Sequence, residues 1–160
     1  MDITKILVYA LEREYEGKRF FIENAGRLQN AAAQGAFKAV ALEEQKHIDF
    51  ILAQIAVVRT GVSAELPELP SALFFAERAE NENIEQSVAE SMVADLPVLR
   101  MAYLIERDFA EFYASAASKT EGDTKRVLDM LARWESGHER LFKHLHDKAF
   151  ELYSGMPWGG

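Results

Sequence analysis

The chain has 160 residues, no cysteine and a formal net charge of −8 at pH 7. Its length fits one domain with a sizeable core. The acidic balance disfavours binding to nucleic acid or to anionic membranes, and the lack of cysteine excludes disulfides, thiolate zinc sites and cysteine-ligated iron–sulfur clusters. No apolar run reaches about 18 residues, so we expect no membrane span, and the charged start of the chain does not resemble a signal peptide. We therefore expect a cytoplasmic protein.

Apolar residues recur at helical spacing through most of the chain, and no segment has the pattern of a strand. In chain order, the predicted elements are a helix over 3–28, a helix over 32–59, a loop over 60–70, a crossover of one or two short helices over 71–93, a helix that follows Pro97 and ends near 119, and a helix over 124–153. Asp123 or Thr124 is the candidate N-cap of the last helix. We expect residues 1–153 to form a single domain and residues 154–160 to form an irregular tail.

The second half of the chain repeats the pattern of the first half. Glu106 follows Glu14 by 92 residues, and the pair Glu135 and His138 follows the pair Glu44 and His47 by 91 residues. Apolar and aromatic neighbours recur at the same offsets, as expected after duplication of a helical hairpin. The predicted fold is therefore all-α: an antiparallel four-helix bundle of two duplicated hairpins, with the crossover between helices two and three.

Six polar residues lie within the apolar stripes of the four predicted helices. They are Glu14, Glu44, His47, Glu106, Glu135 and His138. Even one unpaired charge in a core costs several kcal/mol, so four carboxylates facing one core require compensation. Two divalent cations would neutralise the four carboxylates, and the two imidazoles would complete the set of ligands. The alternative is a metal-free bundle whose buried polar groups form salt bridges with one another.

The positions of the four glutamates along the helices predict that they meet. Glu14 and Glu44 lie equally far from residue 29, the expected turn of the first hairpin. Glu106 and Glu135 lie equally far from about residue 120, the expected turn of the second. Equal distances from the tip of an antiparallel hairpin place side chains at one level, here roughly 20 Å from each turn. All six groups are then expected to converge in the middle of the bundle.

The types of ligand restrict the choice of metal. A Glu and a His three residues apart stack on one helix face. Carboxylates and imidazoles without thiolates suit iron, manganese or zinc. Two Glu residues with two Glu-x-x-His motifs form the di-iron or di-manganese signature of ferritin-like bundles. We therefore expect two metal ions, with iron as the first candidate.

Two strings of residues are similar to those of a known family. The segment 11–21, LEREYEGKRFF, and the segment 37–47, FKAVALEEQKH, resemble the rubrerythrin branch of the ferritin-like superfamily. The resemblance extends over roughly residues 3–150. It implies that Glu44 and Glu135 bridge the metals, that Glu14 and Glu106 are terminal ligands, and that His47 and His138 each bind one ion. It also implies reduction of hydrogen peroxide or oxidation of ferrous iron.

The chain departs from the rubrerythrin pattern in two respects. Full-length rubrerythrins carry a rubredoxin domain with four cysteines, so this chain is expected to need an external electron donor such as a rubredoxin-like protein. They also carry an additional carboxylate on the third helix, whereas Phe109 stands three residues after Glu106 here. Tyr113 is a candidate hydrogen-bond or one-electron donor beside the metals, and the alternative is a core tyrosine with any polar partner.

Three functions remain open on this sequence. The first is a redox enzyme that acts on peroxide or dioxygen, as a peroxidase or ferroxidase. The second is iron binding and storage, and the third is a di-manganese catalase-like enzyme or a di-iron oxygenase. A homodimer is the expected oligomer.

Overall fold

The computed structural model describes residues 2–61 and 86–156 of the chain. These ranges contain four helices and no strand: α1 Ile3–Ala25, α2 Ala31–Thr60, α3 Gln86–Ala117 and α4 Gly122–Gly155. Because the connections α1–α2 and α3–α4 are short, each pair forms a closely packed antiparallel hairpin. The predicted all-α, ferritin-like four-helix bundle is confirmed. None of the helices in these two ranges is long and apolar enough to span a bilayer.

The two helices of the first hairpin begin at side-chain caps. The Asp2 carboxylate accepts a hydrogen bond from the Thr4 backbone N–H at 3.0 Å, and Asn30 Oδ1 accepts one from the Ala33 N–H at the same distance. Both contacts satisfy a backbone donor that a helix start leaves without an intrahelical partner. At the other end of α2, Gly61 adopts a φ of 69°, a left-handed conformation that ends the helix.

The prediction that the third helix follows Pro97 is wrong. Helix α3 begins at Gln86 and contains Pro97, so residues 86–93 of the predicted crossover belong to α3. The loss of one backbone donor at a proline is tolerated when packing fixes the helix on both sides. Here Met92 and Leu99, which flank Pro97, are fully buried. The rest of the crossover, 71–85, and the predicted loop beyond Gly61 lie outside the described residues.

The predicted N-cap of the fourth helix is also wrong. The helix begins at Gly122 with Glu121 in the cap position, and Glu121 makes no side-chain cap hydrogen bond. Gly122 has a φ of 62°, which lets the chain turn directly into the helix three residues earlier than a cap at Thr124 would. Asp123 then lies in the first turn, where the helix dipole favours a negative charge. At its other end α4 extends to Gly155, and residues 157–160 of the predicted tail lie outside the described residues.

A buried carboxylate on α3 holds the turn of the first hairpin. Asp95 accepts hydrogen bonds from the backbone N–H groups of Gln29 at 2.8 Å and Asn30 at 2.9 Å. Its side chain is 2% exposed, so these two donors compensate the burial of its charge. Asp95 therefore joins the two hairpins at one end of the bundle.

The core consists of two apolar clusters, separated along each helix by the six polar residues. One cluster contains the packed rings of Phe21, Phe37 and Phe142. The other contains Ile51 and Tyr113, toward the turn of the second hairpin. The polar layer thus lies midway along the bundle, as the distances from the turns predict.

Candidate metal centre

All four helices supply side chains to the polar layer. Glu14 comes from α1, Glu44 and His47 from α2, Glu106 from α3, and Glu135 and His138 from α4. None of the six is more than 3% exposed. The structure therefore brings together all six residues that the sequence selects.

Within this layer the side chains form two overlapping groups of four. The first group, which we call the His47 position, contains Glu14, Glu44, His47 and Glu135. The second group, the His138 position, contains Glu44, Glu106, Glu135 and His138. In each group one nitrogen or oxygen from every residue lies within 4.8 Å of the others. This spacing suits four donors around one ion, since metal–nitrogen and metal–oxygen bonds are about 2.0–2.2 Å long.

Glu44 and Glu135 belong to both groups. Glu44 Oε2 lies 3.6 Å from His47 Nδ1, and its Oε1 lies 3.2 Å from His138 Nδ1. Glu135 Oε1 lies 2.8 Å from His47 Nδ1, and its Oε2 lies 3.4 Å from His138 Nδ1. Each of these carboxylates therefore directs one oxygen to each position, which is the arrangement needed to bridge two ions.

The hydrogen bonding of the carboxylates is incomplete. Among the described residues, no donor with hydrogen-bond geometry meets either oxygen of Glu44, Glu106 or Glu135. Native interiors rarely leave buried polar atoms without partners, because each such atom forfeits its interaction with water. Carboxylate and imidazole donors without thiolate match iron, manganese or zinc, so the residues present fit a pair of metal ions.

In the absence of metal, burial and neighbouring charges shift the pKa values of the side chains in this layer. Burial raises the pKa of Glu14 well above its usual value, and the Glu135 and Glu44 carboxylates raise it further. Burial likewise raises the pKa of Glu106. For His47, burial alone lowers the pKa, but the carboxylates of Glu135 and Glu44 outweigh it and raise the pKa well above its usual value. Without metal, protons take the place of cations in this cluster.

For His138, burial again lowers the pKa on its own, and Glu106 and the other carboxylates outweigh it and raise the pKa. Burial would raise the pKa of Glu44, but the two histidines lower it below its usual range. The imidazoles are therefore the cations that keep the shared carboxylates ionised in the absence of metal.

Tyr113 contacts the layer directly. Its hydroxyl donates a hydrogen bond to Glu14 Oε1, while Glu14 Oε2 lies 3.2 Å from His47 Nδ1. Burial raises the pKa of Tyr113, and the Glu14 charge raises it further, so the hydroxyl keeps its proton as a donor. Tyr113 was a candidate hydrogen-bond donor or one-electron donor beside the metals. The structure shows its hydroxyl as a hydrogen-bond donor to Glu14.

Two aromatic side chains lie beside residues of the His47 position. Trp134 stacks on the His47 ring with centroids 4.9 Å apart and an interplanar angle of 12°. Phe109 packs against Gly17, where a Cβ would lie 2.9 Å from the ring and 3.8 Å from Glu44 Oε2. Gly17 was not among the residues selected from the sequence, although the repeat offers a signal: Gly17 and Phe109 are 92 residues apart and hold equivalent places in the two hairpins.

Fold and centre together define a ferritin-like four-helix bundle with a carboxylate–histidine cluster compatible with a di-metal site. The sequence matches the rubrerythrin family over residues 5–146, so the chain belongs to the rubrerythrin family. A solved structure of a hypothetical protein from Pyrococcus furiosus has the same fold, with a TM-score of 0.68 and 19% sequence identity over 94% of this chain and 92% of that chain. No curated protein matches. Family and clusters together indicate that the chain binds metal ions.

Proposed function

We propose that this protein is a non-haem di-iron oxidoreductase that reduces hydrogen peroxide and receives its electrons from an external donor. The observation that carries the proposal is the sharing of Glu44 and Glu135 between the His47 and His138 positions. Two ions at those positions would lie close enough to act on one small molecule together. The membership of the rubrerythrin family supports iron as the metal.

The residues divide into bridging and terminal ligands under this proposal. Glu44 and Glu135 would be shared by the two ions, Glu14 and His47 would hold one ion, and Glu106 and His138 would hold the other. When bound, the ferrous pair supplies two electrons, which with two protons convert one hydrogen peroxide to two waters and leave two ferric ions. The sequence contains no cysteine for a rubredoxin-type iron site, and we propose that a separate protein supplies the electrons that restore the ferrous state.

Side chains around the layer keep bulk water from the ions. Trp134 stacks on His47 and Phe109 packs on Gly17 near Glu44, and an apolar shell of this kind would limit solvent access to a metal pair. The Tyr113 hydroxyl holds Glu14 in a fixed orientation through its hydrogen bond. The protein thus supplies ligands, orientation and an apolar shell, while the metal pair supplies the electrons.

Metal analysis followed by oxidation of the ferrous protein tests the proposal. Protein purified without chelator should contain iron, and anaerobically reloaded protein should bind two ferrous ions per chain. Peroxide should then oxidise the pair faster than dioxygen does, and a reduced rubredoxin-like protein should sustain turnover. Failure to bind two ions, or oxidation by neither reagent, would contradict the proposal.

Glu44→Gln and Glu43→Gln form a matched pair of variants for this experiment. Glu44 is fully buried between the two positions, whereas its neighbour Glu43 pairs with Lys46 at the surface of the same helix. Loss of the bridging charge should abolish binding of the second ion in Glu44→Gln. Glu43→Gln should bind and react as the wild type does.

One observation favours ferroxidase activity as a second candidate. The additional carboxylate of the rubrerythrin pattern has no counterpart three residues after Glu106, where Phe109 stands and packs its ring on Gly17 beside Glu44. A ferroxidase needs the ion pair but not that carboxylate. Faster oxidation by dioxygen than by peroxide, with continued uptake of iron beyond two ions per chain, would support this candidate over the first.

We further propose that the protein is a homodimer in which the outer face of the first hairpin is covered. Ile22 and Leu42 line a surface groove of about 410 Å³ there and are 56% and 68% exposed. The equivalent residues of the second hairpin are Ala114 and Arg133, so the second hairpin lacks this apolar pair at the corresponding place. Replacing Leu42 with Glu should convert a dimer to a monomer in gel filtration, and a monomeric wild type would contradict the proposal.

A further inference from the structure

We propose that Phe109 determines which oxidants reach the metal pair: its ring admits molecules of the size of hydrogen peroxide or dioxygen and excludes the larger alkyl hydroperoxides. Phe109 is a specificity-determining residue at the boundary between α1 and α3. This role depends on the proposed di-metal function, because it concerns the substrates of that centre.

The six candidate ligands are distributed unevenly between the two sides of the bundle. Across the boundary between the hairpins, α1 packs on α3 and α2 packs on α4. Helices α2 and α4 supply four of the six, whereas α1 and α3 supply one each. The rings of His47 and His138 stack with centroids 5.4 Å apart, and Trp134 stacks on His47. Because ligands and stacked rings crowd the α2–α4 side, we expect a small molecule to approach from the α1–α3 side.

Gly17 and Phe109 meet on the α1–α3 side. They hold equivalent places in the two hairpins, and each follows a candidate terminal glutamate by three residues. A Cβ at Gly17 would lie 2.9 Å from the edge of the Phe109 ring and 3.8 Å from Glu44 Oε2. The ring edge and the shared carboxylate therefore border the same small space. Because Gly17 has no side chain, the ring of Phe109 fills the space between α1 and α3 beside the polar layer.

A cation holds the Phe109 ring in place. The ring is 4% exposed, and the Arg13 guanidinium carbon lies 4.6 Å from its centroid. Arg13 is partly exposed and donates a hydrogen bond from Nη1 to the Tyr9 hydroxyl at 2.9 Å. Attraction between a guanidinium group and the face of a ring favours this fixed arrangement. Phe109 thus contacts a side chain that reaches solvent and lies beside a carboxylate of the polar layer.

The size of the oxidant decides whether it can pass the Phe109 ring. Hydrogen peroxide and dioxygen are small, so a slight movement of the ring suffices for their passage. An alkyl hydroperoxide takes the same two electrons from a ferrous pair and two protons, and cleavage of its O–O bond gives an alcohol and water. Its alkyl group needs the volume that the ring occupies. The chemistry therefore suits both kinds of peroxide, and access distinguishes them.

Phe109→Ala tests the selection, with Phe50→Ala as the matched control. Phe50 is 3% exposed and packs on Trp134, so it loses a ring of the same size away from Gly17. Anaerobic ferrous protein is mixed with hydrogen peroxide or with tert-butyl hydroperoxide, and absorption follows the rate of oxidation. The wild type should prefer hydrogen peroxide, and Phe109→Ala should reduce this preference by roughly tenfold or more. Phe50→Ala should keep the preference of the wild type.

Binding of anions to the cobalt-loaded protein measures access without turnover. Visible absorption of the bound Co²⁺ should change when azide, a small anion, is added to the wild type, and should not change when benzoate is added. Phe109→Ala should bind both anions. Its affinity for Co²⁺ should equal that of the wild type, because the substitution removes no candidate ligand. A merely structural role for Phe109 predicts weaker binding of Co²⁺ and an unchanged selection between the anions.

Adding Gly17→Ala to Phe109→Ala should restore part of the selection. In that background the new Cβ no longer meets the Phe109 ring and lies 3.8 Å from Glu44 Oε2, an ordinary contact distance. The Cβ then narrows the space that the first substitution opened, so the double variant should bind benzoate more weakly than Phe109→Ala does. Equal or tighter binding of benzoate by the double variant would contradict a local effect of the ring.

The outcomes separate the role of Phe109 from the proposed function. If Phe109→Ala fails to fold, Phe109→Leu replaces it and should show the same change to a smaller extent. Similar rates with the two peroxides in the wild type, or an unchanged preference in the folded Phe109 variant, would overturn the role of Phe109 alone. A wild type that binds no Co²⁺, or whose ferrous form reacts with neither peroxide, contradicts the proposed function, and the role of Phe109 fails with it.

Discussion

Glu44 on α2 and Glu135 on α4 each direct one carboxylate oxygen to His47 and the other to His138, with oxygen–nitrogen distances between 2.8 and 3.6 Å. The two residues come from different hairpins, so their carboxylates meet across the boundary between the halves of the bundle. Two cations placed between them would neutralise charges that otherwise repel each other. The stability of the fold should therefore depend on whether metal is present.

Replacing Glu106 with Gln should stabilise the metal-free protein and reduce the stabilisation that metal binding provides. Both oxygens of Glu106 are buried without hydrogen bonds among the described residues, and burial raises its pKa. A neutral amide of the same shape relieves part of this cost, so the metal-free variant should be more stable than the metal-free wild type by about 1–3 kcal/mol. Thermal unfolding with excess chelator measures the difference.

Metal binding should raise the stability of Glu106→Gln less than it raises the stability of the wild type. A ligand held at 100 times its dissociation constant stabilises the folded state by about 2.7 kcal/mol, and Glu106→Gln lacks a charged donor for that ligand. Glu111→Gln, an exposed change on the same helix, is the control and should alter neither melting temperature. Equal thermal gains on metal addition in Glu106→Gln and the wild type would show that Glu106 is not a ligand.

The metal-free protein should lose stability as the pH rises above about 6.5, the ordinary pKa of histidine. His47 and His138 have raised pKa values because the surrounding carboxylates outweigh the opposing effect of burial. A group with a raised pKa binds more protons in the folded state, so its contribution is complete below the unfolded pKa and disappears as the pH passes the folded pKa. Chemical unfolding at several pH values in chelator should show this decline.

Metal binding should have the opposite pH dependence. The imidazoles must release their protons before they can bind an ion, so the apparent affinity for metal should increase with pH and binding should release protons. Calorimetry in buffers of different ionisation enthalpy counts these protons. A metal affinity that stays constant over the range in which the metal-free protein loses stability would contradict the assignment of both histidines as ligands.

Gly17→Ala should destabilise the protein through a contact with Phe109. An added Cβ would lie 2.9 Å from the edge of the Phe109 ring, which is 4% exposed and has little freedom to move. Overpacking of this kind costs about 1–3 kcal/mol. Urea unfolding of the metal-free protein measures the cost. Gly26→Ala is the matched control, because a Cβ at Gly26 meets nothing within 4 Å and should leave the unfolding midpoint unchanged or raised.

Asp95→Ala should weaken the connection between the hairpins. The substitution removes the acceptor for the backbone N–H groups of Gln29 and Asn30 and leaves both donors without it. Hydrogen bonds to a charged group contribute about 1.5–3 kcal/mol each, so we expect a loss of at least about 2 kcal/mol in urea unfolding. The exposed Asp108→Ala on the same helix serves as the control. Similar unfolding midpoints for the two variants would contradict the role of Asp95.

Much of the fold was predictable because duplication and helical periodicity act over long stretches of chain. The first two predicted helices begin and end within three residues of the observed bounds. The two hairpin turns lie close to residues 29 and 120, where they were expected. The six central residues were selected by a physical conflict, since charged side chains stood on faces that had to be buried. A conflict of this kind is visible without knowledge of the packing.

The missed features depend on contacts between distant parts of the chain. Pro97 suggested a helix boundary by local rules, but the burial of Met92 and Leu99 maintains the helix around it. Nothing in the sequence distinguishes Asp95 from the other acidic residues. Its contact with the backbone of Gln29 and Asn30 forms only in the folded chain. Local patterns do not encode such partners.

Each hairpin supplies one carboxylate to the metal position of the other hairpin. Each contributes a terminal Glu, a shared Glu and a His to its own position, and each lends its shared carboxylate to the other. A single hairpin would thus hold three of the four residues around an ion and lack the fourth. Two identical hairpins related by a twofold axis would supply the missing carboxylate to each other, so a self-associating hairpin of half this length would place four residues around both positions.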